Sequence, residues 1–169
     1  MKKNSGFTLL ELTITVAIIS IVMAIAVPSM TTFTQNDRLT TNINTLIGHL
    51  AYARSEAVKR NQQVSICSSN NATTCTGGNW QDGWIVYIDA DGDNSFTAGE
   101  EVLRAQQALE GANTLTTAIG TQLTYDYRGF VNAASVGSFQ LCDGRSGPHG
   151  KTIRISTTGR VRIEDGSTC

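Results

Sequence analysis

The chain has almost no net charge, because its 13 basic and 14 acidic residues leave −1 at pH 7. This balance argues against a protein that binds nucleic acid over its whole surface. The sequence also lacks internal repeats, low-complexity tracts and a phosphate-binding glycine loop after a strand. Its two histidines, His49 and His149, accompany no recognisable serine or cysteine nucleophile motif. These absences argue against an enzyme, and no cofactor is expected.

A long apolar run occupies residues 7–27 and contains one formal charge, Glu11. A helix of this length is about long enough to cross the hydrocarbon core of a bilayer. The run is too long for the apolar region of a typical signal peptide, and no Ala-x-Ala-like cleavage site follows it. Because a carboxylate is unfavourable inside a membrane, we expect Glu11 to have a partner or a function.

The start of this run, Gly6-Phe7-Thr8-Leu9-Leu10-Glu11, resembles the leader junction of type IV pilins and type II secretion pseudopilins. The resemblance implies cleavage after Gly6 by a prepilin peptidase and N-methylation of the new terminus, Phe7. It also implies that Glu11 pairs with the terminal amine of a neighbouring subunit during assembly. The alternative is an ordinary signal anchor in which Glu11 occurs by chance. We therefore expect a leader at residues 1–6 and a transmembrane or filament-core helix at residues 7–28.

Beyond Pro28 the helical pattern continues to about Arg60, and Pro28 is expected to kink the helix without ending it. We assign residues 29–62 to an amphipathic helix whose apolar face packs on a sheet. Residues 52–61 resemble the helix end of the FimT/GspH branch of the pilin family. The predicted apolar stripe consists of Leu39, Ile43, Leu46, Ile47, Leu50, Ala53, Ala57 and Val58.

From residue 63 onward the apolar pattern alternates with a period of two, and glycine-containing turns separate most of the segments. One long helix followed by such strands predicts an α+β fold in which the helix packs on antiparallel sheets. The resemblance implies that this is the type IV pilin fold, with residues 63–169 as its β-sheet domain. The predicted strands are residues 64–67, 84–88, 102–104, 123–127, 139–142, 152–155 and 160–163.

An even number of cysteines in a domain exported past a membrane indicates two disulfides. A zinc site is the weaker alternative, because no CxxC or His-x-His pair is present, and no metal is expected. Three pairings are possible. We favour Cys67 with Cys75, which closes a polar loop, and Cys142 with Cys169, which ties the last residue back to the sheet.

The acidic segment at residues 89–100 has carboxylates at loop positions one, three, five and twelve, as in an EF-hand. Its turn glycine, Gly92, stands at position four where an EF-hand needs position six, and no helices are expected to flank the loop. We interpret the segment as a solvated turn that joins two strands. Calcium binding is the alternative.

The C-terminal hairpin concentrates positive charge, since residues 142–163 contain five basic residues against one acid, a balance of +4. Strand alternation predicts that Ile153, Ile155, Val161 and Ile163 face the core while three arginines share the outer face. Such a cluster of like charges suggests an anionic ligand, and the planar guanidinium suits phosphate. The predicted binding residues are Arg154, Gly159, Arg160, Arg162, Lys151 and Arg145.

Within this hairpin, Gly159-Arg160-Val161-Arg162 resembles the GRxR motif of FimT-type minor pilins. That motif is associated with DNA capture in natural transformation, so the resemblance implies weak, salt-sensitive contact with DNA of any sequence. The alternative is a solvated strand face whose arginines prevent edge-to-edge aggregation. Few exposed aromatic residues are expected near the hairpin, which argues against tight recognition of single strands.

Together these patterns predict a membrane-anchored minor pilin. Its expected partners are other pilin subunits, the prepilin peptidase, the bacterial inner membrane and DNA. The head is expected to face the periplasm, and to reach the cell surface once the subunit has entered a filament. A minor pseudopilin of type II protein secretion, with the same architecture and a role in protein export, is the alternative.

Overall fold

The computed structural model describes residues 7–169, so Gly6 and the predicted leader at residues 1–6 lie outside the described residues. The chain forms two compact units, one ending at Asp37 and one spanning Arg38–Cys169, here called the head. The elements are α1 (Leu9–Arg60), β1 (Gln63–Ser68), β2 (Trp84–Asp89), β3 (Val102–Gln106), β4 (Thr114–Thr117), β5 (Gln122–Tyr125), β6 (Gly137–Cys142), β7 (Gly150–Ile155) and β8 (Val161–Ser167). Two short 3-10 helices occupy Trp80–Asp82 and Ala133–Ser135.

The N-terminal unit is helical, and its side chains are exposed from residue 7 to residue 34. Thr8 caps the start of the helix, because its Oγ1 accepts a hydrogen bond from the backbone N–H of Glu11 at 3.2 Å. The hydroxyls of Thr13 and Thr15 donate to backbone carbonyls three residues earlier, so they need no external partner. As predicted, the helix does not end at Pro28. It is long and apolar enough to cross a membrane.

In the head, the predicted apolar stripe of α1 forms one side of the core. Six of its residues are at most 2% exposed: Leu39, Ile43, Leu46, Leu50, Ala53 and Ala57. Ile47 is partly buried. The prediction is wrong for Val58, which is 53% exposed. Val58 lies about 100° around the helix from Ala57, which already occupies the buried face at this level.

The strands form two antiparallel sheets, ordered β3-β2-β1-β5 and β4-β6-β7-β8. All seven predicted strands are present, and β8 continues four residues beyond its predicted end at Ile163. Sequence reasoning missed β4, because its four residues, Thr-Leu-Thr-Thr, include only one apolar side chain. That side chain, Leu115, is buried in the core.

Two buried tryptophans form hydrogen bonds that connect separate segments of the head. The indole of Trp84 donates a hydrogen bond to Nδ1 of His49 at 2.9 Å, and the indole of Trp80 donates to the carbonyl of Gly120 at 2.7 Å. Burial lowers the pKa of His49, which keeps Nδ1 available as an acceptor. His49 therefore has a packing role in the head.

All four cysteines form disulfides, and both are the favoured pairings. Cys67–Cys75 closes the polar loop after β1. Cys142–Cys169 joins the last residue of the chain to the end of β6. The second disulfide holds the C-terminal end of the chain, just beyond β8, against the sheet.

Candidate nucleic-acid interface

The hairpin of β7 and β8 carries the three arginines singled out in the sequence. Arg154 on β7 pairs directly with Arg162 on β8, so the two side chains share a face of the sheet. Arg160 precedes β8, and its carbonyl accepts a hydrogen bond from Ser156 N–H at 3.1 Å, which extends the ladder towards the turn. Strand alternation places Arg160 on the same face as Arg162. All three side chains are exposed.

The apolar face of this hairpin is only half buried. Ile153 and Ile155 are at most 3% exposed, as predicted. The prediction is wrong for Ile163, which is 48% exposed, and Val161 is only partly buried. The reason is the position of β8 at the edge of its sheet, where, among residues 7–169, it has a neighbouring strand on one side.

The positive patch is smaller than the sequence pattern indicated, because β8 runs on to two acids. Arg154 Nε lies 2.8 Å from both carboxylate oxygens of Glu164. Lys151 Nζ lies 2.6 Å from Oδ1 of Asp165. With these two acids included, the balance of residues 142–165 is +2, against +4 up to residue 163. Two of the predicted binding residues therefore have anionic neighbours on the adjacent strand.

Arg145 is also occupied within the head. Its guanidinium forms an ion pair with Asp143 at 2.5 Å, and only 18% of its side chain is exposed. The hydrogen bond from Arg145 lowers the pKa of Asp143, so the pair is charged on both sides at neutral pH. The geometry indicates that this pair fixes the loop after β6.

Arg160 and Arg162 differ from the other cations of the hairpin. Within residues 7–169, neither guanidinium has a carboxylate at ion-pair distance. Arg154 forms an exposed ion pair with Glu164. Because exposed ion pairs contribute little stability, Arg154 is partly available to an anionic ligand. The structure thus places two unpaired cations, two residues apart, at the start of an exposed edge strand.

Gly159 fixes the backbone that leads into Arg160. It has a positive φ of 71°, which only glycine adopts readily, and an added Cβ would lie 2.3 Å from the carbonyl oxygen of Gly129. Arg54 of α1 stabilises the same turn. Its Nε donates to the Gly129 carbonyl and its Nη2 donates to the Thr158 carbonyl, both at 3.0 Å. Sequence reasoning missed this role of Arg54. Its only signal was an arginine in the helix that lay outside the apolar stripe.

The acidic loop at residues 89–100 is closed by its own carboxylates. Asp89 accepts hydrogen bonds from the backbone N–H groups of Gly92 and Asn94, and Glu100 accepts from those of Ala90 and Thr97. Oxygens of Asp89, Asp91 and Asp93 lie within 4.8 Å of one another. Burial raises the pKa of Asp89. This arrangement suits the interpretation as a turn between strands, and calcium binding stays the alternative.

Comparisons with known proteins agree with this fold. Residues 1–27 match the family model described as the prokaryotic N-terminal methylation motif. Residues 42–159 match that of the type II transport protein GspH. A crystal structure of the type IV minor pilin FimU from Pseudomonas aeruginosa matches with a TM-score of 0.61 and 23% identity, covering 80% of this chain and 95% of that one. A second crystal form of FimU matches with a TM-score of 0.58 and 22% identity, covering 77% and 95%. A search of curated proteins found no significant match.

The fold, with its long N-terminal helix on antiparallel sheets, and the methylation motif define a protein of the type IV pilin and pseudopilin class. Within that class, the chain belongs to the GspH family, whose model covers more than half of its length. This confirms the assignment to the FimT/GspH branch made from residues 52–61.

Proposed function

We propose that this protein is a minor type IV pilin whose C-terminal hairpin binds DNA through Arg160 and Arg162. The observation that carries the proposal is that the other basic residues of the hairpin region are paired with carboxylates. Lys151, Arg154 and Arg145 each have a carboxylate within 2.8 Å, while Arg160 and Arg162 have none among residues 7–169. Two unpaired guanidinium groups on one exposed face can each bind a phosphate through two oxygens.

The same proposal gives the N-terminal unit its role. Residues 1–6 are a leader that the prepilin peptidase removes after Gly6, and Phe7 is then methylated. Residues 7–28 anchor the subunit in the inner membrane with its head in the periplasm, and later pack among the helices of other pilin subunits. The exposed apolar surface from residue 7 onward supports this, because such a surface needs lipid or other helices to cover it. Glu11 then pairs with a neighbouring subunit's terminal amine.

Two arginines make only a few phosphate contacts, so a single head binds DNA weakly and without regard to base sequence. A pilus that displays several copies, or other DNA-binding subunits beside this one, raises the effective affinity through multivalency. The protein is thus a structural subunit of a filament that contributes to DNA uptake in natural transformation.

The test is duplex binding by the full-length protein in neutral detergent, measured by fluorescence anisotropy over a salt series. Arg160→Ala/Arg162→Ala should weaken binding about tenfold or more at low salt. It should also reduce the slope of log affinity against log salt by about 2, since each lost phosphate contact contributes about 0.9. Arg38→Ala/Arg104→Ala removes the same charge from other exposed positions of the head and should have a much smaller effect.

Circular dichroism checks that each variant is folded. The proposal fails if the native protein does not bind duplex at low salt, or if both double-alanine variants weaken binding equally. Arg160→Lys/Arg162→Lys, which keeps the charge and loses the planar guanidinium, should bind with intermediate affinity.

Protein export is the second candidate function, and the match to the type II transport protein GspH favours it. A pseudopilin would use the same anchor and fold without any contact to DNA. In a strain that lacks this protein, Arg160→Ala/Arg162→Ala should restore type II secretion as well as the native chain does if export is the function. It should fail to restore DNA uptake if the first proposal is right.

A further inference from the structure

Two exposed aromatic side chains lie in the loop at residues 126–130, here called the aromatic loop. Tyr127 is 51% exposed and Phe130 is 45% exposed, although aromatic side chains of this size are usually more buried. The sequence pattern predicted few exposed aromatics near the hairpin, and these two lie in a loop that contacts its turn. The aromatic loop is about 30 residues from Arg160 along the chain, and the fold brings the two segments together.

Three contacts fasten the aromatic loop to the turn that leads into Arg160. The backbone N–H of Val131 donates to the Thr157 carbonyl at 2.9 Å. Arg54 bridges the carbonyls of Gly129 and Thr158. Gly159 packs so closely on Gly129 that no side chain fits between them. Phe130 directly follows Gly129, and the unpaired Arg160 directly follows Gly159. Each therefore lies one residue from the contact between the two glycines, and consecutive Cα atoms are about 3.8 Å apart.

The aromatic loop is internally ordered. The guanidinium of Arg128 lies 5.4 Å from the ring centroid of Tyr127 and 5.5 Å from that of Phe130. Asp126 forms an ion pair with Arg128 at 2.8 Å and accepts the backbone N–H groups of Arg128 and Phe130. The carboxylate is therefore neutralised within the loop. A pre-ordered aromatic surface loses little conformational entropy when a ligand binds.

An open cleft of about 490 Å³ adjoins the aromatic loop, and Asn94 of the acidic loop and Thr157 of the hairpin turn also line it. Its lining includes Asp126, Arg128 and Phe130 of the aromatic loop. The amide side chains of Gln63 and Asn132 also line it. Amides both donate and accept hydrogen bonds, as the polar edges of nucleobases do. The cleft thus combines an apolar ring, amide groups and the ion pair of Arg128 with Asp126.

We infer that this cleft receives an unpaired base of single-stranded DNA, which stacks on Phe130 while adjoining phosphates lie on Arg160 and Arg162. The inference rests on the proposed function, because those two arginines supply the contact to the DNA backbone. Stacking on aromatic rings tolerates every base, which suits a surface without a sequence code. A duplex keeps its bases stacked on one another, so it can use the arginines alone. The protein therefore prefers single strands to duplex.

The test compares oligothymidylate with a duplex of equal length, using the full-length protein in neutral detergent and fluorescence anisotropy. Phe130→Leu should weaken single-strand binding about tenfold, because a stacked base contributes several-fold or more to affinity. Its duplex binding should stay within about twofold of native, since the arginines that hold the phosphates remain. Phe130→Tyr keeps the ring and should bind as the native protein does.

A second measurement uses the native protein alone and so does not depend on the folding of any variant. An abasic strand of the same length keeps the phosphates and removes the bases. It should bind about tenfold more weakly than oligothymidylate.

The outcomes separate this inference from the proposed function. Abasic and base-bearing strands of equal affinity would overturn the stacking site, and so would a leucine variant that weakens both DNA forms equally or neither. In those cases a loss of both in Arg160→Ala/Arg162→Ala would leave the proposed function in place. If that arginine variant bound both forms as the native protein does, the proposed function itself would fall.

Discussion

At the scale of single residues, the candidate interface depends on a glycine that does not itself carry charge. Gly159 combines a positive φ of 71° with a position where an added Cβ would lie 2.3 Å from a backbone carbonyl oxygen. Neither constraint is visible in the motif Gly-Arg-Val-Arg, which by itself indicates only two arginines on one strand face. In the structure, Gly159 allows its turn to approach the turn at Gly129 closely, and Arg160 is the next residue in the chain.

Gly159→Ala should destabilise the head by more than the conformational strain alone, which is about 1–3 kcal/mol. The carbonyl of Gly129 has to move, and Arg54 then loses the geometry of its two hydrogen bonds. Urea unfolding followed by circular dichroism measures the loss. Gly77→Ala is the matched control, because Gly77 has a φ of 68° with no atom within 4 Å of an added Cβ. Equal destabilisation of the two variants would mean that crowding at Gly159 is unimportant.

At the scale of elements, the edge strand β8 needs support at its far end. Among residues 7–169 it pairs with one strand, β7. The C-terminal disulfide lies two residues beyond its last residue, Ser167, and connects the chain end to β6. The disulfide spans 27 residues of sequence, so it removes a large amount of conformational freedom from the unfolded chain.

Cys142→Ala/Cys169→Ala should lower the free energy of unfolding by about 3.5 kcal/mol, the chain-entropy value for a loop of this size. The backbone amides of β8 should exchange hydrogen faster, with the largest change near Ser167, since the end of the strand then frays. Hydrogen exchange followed by mass spectrometry measures this. Cys67→Ala/Cys75→Ala is the control. The disulfide that it removes is attached to β1 in the other sheet, so exchange in β8 should stay unchanged. Protection of β8 that survives loss of the C-terminal disulfide would contradict the prediction.

At the scale of the whole molecule, the two units differ in what stabilises them. Every buried apolar side chain among residues 7–169 lies at or after Leu39, and both disulfides lie in the head. The described residues of the N-terminal unit form local hydrogen bonds, such as the Thr8 cap and the hydroxyl bonds within the helix. Folding of the head is therefore expected to be independent of substitutions near the start of α1.

Glu11→Ala should leave the melting temperature of the head unchanged and should reduce incorporation of the subunit into filaments. The physical reason is the unfavourable burial of a terminal amine that has lost its carboxylate partner in the filament core. Immunoblots of sheared pili against whole cells measure incorporation. Thr13→Ala, a neighbouring exposed position in the same helix, should incorporate normally. If Glu11→Ala incorporated as well as the native chain, the assembly role proposed for Glu11 would be wrong.

Much of this molecule follows from local pattern. The apolar stripe predicted the buried face of α1 down to Ala57, and period-two alternation predicted seven of the eight strands in the described part of the chain. Both patterns reflect the repeat of a single element, so they can be read from one segment at a time. The strand β4 was missed because it is four residues long and leaves no such repeat.

The sequence by itself determined the class of the protein, since the leader motif, the apolar run and the helix stripe are all local features. Only the tertiary structure decided the composition of the candidate interface. The register of β8 against β7 brought Glu164 to Arg154 and Asp165 to Lys151, which left Arg160 and Arg162 unpaired. The packing of Gly159 on Gly129 brought the aromatic loop beside them. Ion pairing and stacking depend on the distance between side chains in space, and that distance is set by the pairing and packing of elements that are remote along the chain.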